Sequence, residues 1–230
     1  MKIYNLFPLS ILQDQIKISD SEKLDMIKEI KKMKRDSQNS EYKTDDASWT
    51  GDTQGHEYIY NNPKFKKFFS EITEKIKIYL DNLKVDKDQI EIYLQRSWAT
   101  ISIGKEVISK HKHLQSHLSF AYYLKKSPTD SNFVVYDDEK KNEFIPGLLS
   151  SKTLIQKKII KEITFNTATR ISLSVNEDDI VIFPSKTPHS TEQNNKNIER
   201  ISISGDIIFL ARNTSLIEHL TPSFENWKKL

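Results

Sequence analysis

Three histidines, His111, His113 and His117, crowd the stretch ahead of the apolar run Leu118 to Leu124, and His189 returns far downstream, eleven residues before Arg200. Four of the chain's six histidines thus fall in two segments. Imidazole suits iron(II), zinc and copper, and a three-ligand face with open positions is the arrangement of oxygen-activating iron sites. Such a site needs a close pair of donors from one segment, a third donor from distant sequence, and a fixed cation to anchor an anionic co-substrate. All of these residue types are present here.

Each residue also has a plainer reading. If the His111–His113 segment is extended, both rings share a face with roughly 6.5–7 Å between their backbone positions, and Lys112 points away. Two imidazoles can converge from there on one ion at about 2 Å. Standing alone, H-K-H better describes two surface histidines beside lysines. His117 is too remote to join them on an extended segment. A helical H-x-x-x-H site would place a glutamate beside its first histidine, where Leu114 stands. His117 is therefore expected to pack or to support the ligands from behind. His189 follows I-V-I-F-P-S-K-T-P, a strand and then a turn, and a histidine after a proline is ordinarily a loop residue. What raises its interest is the next segment, E-R-I-S-I-S. Ile201 and Ile203 face one way there, while Arg200, Ser202 and Ser204 face the other. That polar face either meets solvent or forks onto a carboxylate, a task that suits arginine's planar geometry better than lysine's. Tyr122 and Tyr123 take opposite faces of their strand, so one of them can line a pocket, Tyr123 being the choice; both as core aromatics is the alternative.

The elements that must position these groups are legible in outline. Residues 2 to 18 alternate loosely and suggest an edge strand or two. Asp20 or Ser21 can cap a helix beginning near Glu22, with Leu24, Ile27, Ile30 and Lys31 at helical spacing, fraying into a polar surface loop from Lys34 to Ser48. Pro63 opens a second helix whose Phe65, Phe68, Phe69, Ile72, Ile76 and Tyr79 form one apolar stripe. From Ile90 the character changes to strand-length runs: Ile90 to Ile103, Leu118 to Leu124, Asn132 to Tyr136, Lys158 to Phe165, Arg170 to Ser174, Asp179 to Phe183 and Ile201 to Leu210. Short strands with no helix between them indicate a sandwich or barrel. The fold class is α+β, mainly β, with a jelly-roll core behind N-terminal helices. One domain is expected over 1–230: a strand and flanking helices over 1–89, the jelly roll over 90–212, and a tail over 213–230.

Composition narrows the setting. Thirty-five Lys and Arg against thirty-two Asp and Glu leave a net charge of +3, with lysine scattered rather than blocked, which argues against a nucleic-acid partner. The chain contains no cysteine, hence no thiolate metal site and no disulfide framework, which fits a reducing cytoplasm. The opening M-K-I-Y-N-L-F-P-L-S-I-L is apolar for too short a stretch to span a bilayer and shows no cleavage site. A soluble, cytoplasmic protein with no membrane partner is expected; a homodimer stays open, since the sequence shows no interface.

The ordered motifs resemble the 2-oxoglutarate- and iron(II)-dependent oxygenases, in particular a branch with the signature H-x-H-x-x-S-x-L-S-G-x-Y-Y. This chain reads H-K-H-L-Q-S-H-L-S-F-A-Y-Y, with Phe120 in place of the glycine. The opening L-F-P, Ser97-Trp98 before Gly104, F-P-S-x-x-x-H and the closing E-R-I-S-I-S extend the likeness over most of the chain. The resemblance implies a double-stranded β-helix core, iron(II) held by His111, His113 and His189, and 2-oxoglutarate anchored by Arg200 with Ser202. It also implies hydroxylation of an unidentified small-molecule or protein substrate, coupled to conversion of 2-oxoglutarate to succinate. His113 stands where most of the superfamily has an acid, which leaves an iron site one unit more positive. Two alternatives remain: a non-catalytic metal-binding jelly roll, and a three-histidine iron dioxygenase that uses no 2-oxoacid. An anion clamp at Arg200 and Ser202 separates them from the first reading.

Overall fold

The computed structural model describes residues 1–37, 48–128, 130–193, 197–215 and 218–230. Twelve labelled elements build it. They are β1 (Leu12–Gln15), α1 (Asp20–Ser37), β2 (Trp49–Thr50), α2 (Lys66–Asn82), β3 (Ile90–Ile103), β4 (Leu118–Lys125), β5 (Phe133–Tyr136), α3 (Lys152–Gln156), β6 (Arg170–Leu173), β7 (Asp179–Pro184), β8 (His189–Thr191) and β9 (Glu199–Ala211). Two antiparallel sheets result, a larger one in the order β1-β7-β4-β9-β3-β2 and a smaller one in the order β6-β5-β8. This is the architecture of a double-stranded β-helix.

The larger sheet has two distinct faces because its strands alternate with period two. Phe120, Tyr122, Leu124, Ile180, Ile182, Ile201, Ile203 and Ile207 join Met26, Ile30, Phe68, Ile72 and Ile76 of the helices in one core. The opposite parity faces the smaller sheet, where Tyr123, Phe133, Val135, Val175, Val181 and Phe183 form a second apolar cluster. Strand register sets the interior of that face out in rungs. Arg96 pairs with Asp206, Trp98 with Ser204, Thr100 with Ser202, and Ser102 with Arg200. Ser119, Ala121 and Tyr123 of β4 extend the first three of these rungs.

Phe120 points to the helix side and lies directly over Gly205, its register partner. A Cβ on Gly205 would stand 2.5 Å from Phe120 Cε1 and 2.9 Å from the Arg96 carbonyl oxygen. The large Phe120 ring is thus accommodated by a missing side chain on the neighbouring strand.

Several expectations need correction. The strand read over residues 2 to 18 reduces to Leu12–Gln15, because only that stretch finds an edge, on β7; Met1, Ile3, Leu6 and Phe7 stay exposed. Helix α1 is capped by Ser19, not Asp20 or Ser21. Ser19 and Glu22 bond reciprocally, the Glu22 carboxylate accepting from the Ser19 N–H at 2.9 Å and the Glu22 N–H donating to Ser19 Oγ at 3.4 Å. Its buried stripe is Lys23, Met26 and Ile30, while Leu24 is exposed. The loop read over Lys34 to Ser48 is helical to Ser37, and residues 38–47 lie outside the described residues. Lys158 to Phe165 forms no strand. It belongs to the excursion between β5 and β6, follows the short helix α3, and exposes Ile159, Ile163 and Phe165. Its β-branched residues are interleaved with lysines and meet no open sheet edge. Among the described residues no helix is long and apolar enough to cross a membrane.

Candidate metal centre

The segment ahead of β4 runs extended along β8 and lengthens the smaller sheet. The Thr191 N–H donates to the Ile108 carbonyl at 3.1 Å, and His111 and His189 exchange backbone bonds at 3.0 and 2.9 Å. Two residues on, the His113 N–H donates to the Ser185 carbonyl at 2.9 Å. Lys112, between the two histidines, is exposed. This arrangement stacks the three rings with centroid separations of 4.3 Å for His111–His189, 5.1 Å for His111–His113 and 5.3 Å for His113–His189. One ring nitrogen from each lies within 4.8 Å of the others.

Hydrogen bonds on the far side of each ring decide what those nitrogens present. His111 Nδ1 is 2.8 Å from the Ser109 carbonyl and His189 Nδ1 is 2.9 Å from the Thr187 carbonyl. A carbonyl only accepts, so both Nδ1 atoms carry the proton and both Nε2 atoms are the inward donors. Burial holds His111 below its ordinary pKa. Burial, followed by the proximity of His111, pushes His189 down to about 3, so both rings are neutral near neutral pH. His113 Nδ1 faces Asp206 Oδ1 at 2.5 Å, which leaves its Nε2 inward, 3.1 Å from that of His111. Converging lone pairs repel unless an electrophile sits between them. A 3.1 Å separation is roughly what two adjacent ligands of one ion subtend when metal–nitrogen bonds are about 2.0–2.1 Å. The donor set therefore fits a divalent first-row metal with open positions, and no thiolate is present to draw the site toward softer ions.

Asp206 escaped the sequence reading. It is fully buried and accepts from four donors: His113 Nδ1 and Ser119 Oγ (2.8 Å) on Oδ1, and Arg96 Nη2 (2.7 Å) and Gln115 Nε2 (3.4 Å) on Oδ2. Burial works to raise its pKa, but the hydrogen bonds from His113, Arg96 and Ser119 outweigh it and hold the carboxyl below the ordinary range. A relay of hydroxyls, Ser116 to Ser185 at 2.9 Å and Ser185 to Ser119 at 2.8 Å, runs into the same carboxylate. A signal was available: Arg200, Ser202, Ser204 and Asp206 share one parity along β9.

A cavity of about 460 Å³ opens over the histidines, lined among others by Asp52, Trp98, Thr100, Phe133, Phe183 and Ser204. Tyr123 and Ser202 also line it. Tyr122 instead packs on Phe68 at 4.7 Å and donates to Asp178 at 2.7 Å. Arg200 is 3 % exposed and stands one rung beyond the cavity wall, where its guanidinium donates to Ser131 Oγ and, at 3.2 Å, to Ser102 Oγ. His117 is not beside the metal ligands. It is exposed, stacks on Phe209 at 5.9 Å, and its Nδ1 accepts from the Phe209 N–H at 3.0 Å. Strand β8, too short to show a period after Pro188, is the element that the sequence reading missed around His189.

Comparison with known proteins places this geometry. Residues 96–206 match the family described as "Putative 2OG-Fe(II) oxygenase". No curated protein sequence matches the chain. Among solved structures, HygX from Streptomyces hygroscopicus with nickel and 2-oxoglutarate bound superposes with a TM-score of 0.52 at 11% identity, covering 94% of this chain and 84% of its own. A Pseudomonas putida prolyl-4-hydroxylase gives 0.54 at 10% identity, over 87% and 92%. The α-ketoglutarate-dependent epimerase SnoN from nogalamycin biosynthesis gives 0.56 at 11% identity, over 91% and 83%. At these identities the likeness is one of fold. The family match covers the segment that carries all three histidines, and over that segment the chain resembles the 2OG-Fe(II) oxygenases.

Proposed function

We propose that the chain is an iron(II)- and 2-oxoglutarate-dependent dioxygenase in which His111, His113 and His189 hold the metal. The observation that carries this is the set of three Nε2 atoms turned inward by acceptors on the far side of each ring. With the metal and 2-oxoglutarate bound, the site would supply oxidation of a substrate C–H bond to C–OH by O2, with the co-substrate leaving as succinate and CO2.

The chain's own residues bind, orient and exclude water. Ser202, Thr100 and Tyr123 form a hydroxyl-bearing rung between the histidines and Arg200, a suitable bed for an extended dianion whose distal carboxylate reaches the guanidinium. Charge-assisted, forked bonds would then replace those that Arg200 makes to neutral serines. Trp98, Phe133 and Phe183 wall the cavity with apolar surface. Its volume falls in the range of small-molecule sites, so a small molecule or a single side chain is the substrate class. Asp52 Oδ1 and Arg96 Nε are buried without hydrogen-bond partners among the described residues, and both side chains line the cavity. A substrate that carries both a donor and an acceptor group would satisfy them.

The test is anaerobic titration of the purified chain with iron(II) and then 2-oxoglutarate, followed by visible absorption. A charge-transfer band that needs both additions is the expected result. The engagement of Arg200 by Ser131 and Ser102 favours a second reading, a three-histidine dioxygenase without a 2-oxoacid. Iron binding with no response to 2-oxoglutarate would support that one.

A further inference from the structure

We propose that Asp206 is a positioning residue of the metal centre. It holds His113 with Nε2 toward the ion, and it supplies from behind the ring the negative charge that an acidic ligand would bring directly. The inference rests on the reading of His113 as a ligand.

Three observations carry it. The three rings are not supported alike: His111 and His189 donate to neutral backbone carbonyls, whereas His113 faces a carboxylate. A carboxylate behind a metal-bound imidazole fixes its tautomer and makes the ring more basic. In addition, the surroundings of Asp206 demand an acceptor. All four of its hydrogen-bond partners are donors, so an ionised carboxylate satisfies every one, whereas an amide would turn its N–H groups against donors. Finally, the carboxylate is itself held in place. Arg96 takes Oδ2 and leaves Oδ1 to His113 and Ser119, and the Arg96 guanidinium lies 5.1 Å over the Trp98 ring, which sits 5.7 Å from the ring of His113.

The competing account makes Asp206 only a clip that joins β3, β4 and β9 through Arg96 and Ser119. Cobalt(II) binding, followed by visible absorption and set beside chemical denaturation, separates the two. Asp206→Asn should lower cobalt(II) affinity by about 10- to 100-fold. Ile30→Ala, in the helix-facing core, should destabilise the fold and leave cobalt(II) affinity at the parent value. An unchanged affinity in Asp206→Asn, or an equal loss in Ile30→Ala, would overturn the proposal. His113→Ala separates this failure from that of the site itself: retention of cobalt(II) there removes His113 as a ligand, and the proposal with it. Its loss there, with Asp206→Asn unaffected, removes the role of Asp206 alone. A measurement that needs no variant is the 15N spectrum of histidine-labelled, metal-free protein. It should place the His113 proton on Nδ1, and a proton on Nε2 would overturn the assignment.

Discussion

His111 and His189 are locked to each other by their backbones, each N–H donating to the other's carbonyl at 3.0 and 2.9 Å, while their rings meet with centroids 4.3 Å apart. Two donors from distant parts of the chain are thereby placed by main-chain pairing, and neither ring is needed to hold the other segment. Alanine at His111, His113 or His189 should therefore abolish stoichiometric iron binding and leave the fold intact. Metal analysis beside circular dichroism checks this. Full occupancy in any one variant removes that residue from the ligand set.

Arg200 should affect the co-substrate and not the metal. Hydrogen bonds to charged groups contribute about 1.5–3 kcal/mol each, so losing a forked contact should weaken 2-oxoglutarate binding by one to several orders of magnitude. Arg200→Ala and Arg200→Lys, loaded with iron, should both show the loss in 2-oxoglutarate titrations and in succinate formation, with iron affinity unchanged. Parent-like binding in both variants would favour the dioxygenase that uses no 2-oxoacid.

Gly205 has no room for a methyl group. A Cβ there would fall 2.5 Å from Phe120 Cε1 and 2.9 Å from a backbone oxygen, inside a packed core. Gly205→Ala should destabilise the protein by about 1–3 kcal/mol, the range for overpacking. Adding Phe120→Leu should return part of the loss, because the obstacle on one side is then smaller. Denaturant midpoints of the two single variants and the double variant measure it, and strict additivity would show that the two residues do not compete for space.

His189 ties stability to pH. Its pKa is depressed in the folded protein to about 3, first by burial and then by His111, from an ordinary value of 6.5. Between these values the unfolded chain binds the proton more readily, so the stability of the metal-free protein should fall as pH drops from about 6.5 towards 3. His189→Phe should reduce the slope in that window. An unchanged slope in urea melts at successive pH values would locate the effect elsewhere.

Much of the scaffold was legible in the sequence because it depends on short-range periodicity. The stripe from Phe65 to Tyr79 and the isoleucine parity of R-I-S-I-S each report one face of one element, and those residues are largely buried, whereas the run Leu118 to Leu124 is recognisable as a strand that is buried on both faces. The signal failed where an element's state depends on a distant partner. Lys158 to Phe165 has strand-like composition but pairs with no strand, and His189–Thr191 is too short to show a period yet becomes a strand because β5 and the His111 segment lie beside it.

At the site, residue type and spacing were enough to bring His111, His113 and His189 forward as candidates, since imidazole is recognisable wherever it falls. Tertiary structure decided which ring nitrogen each presents, because that depends on acceptors from elsewhere in the fold or on local backbone turns. The carboxylate behind His113 comes from the middle of β9, in a register set by pairing with β3 and β4. A hydrogen bond between residues so far apart in the chain leaves no trace in local spacing. It exists only once the strands have closed the sheet.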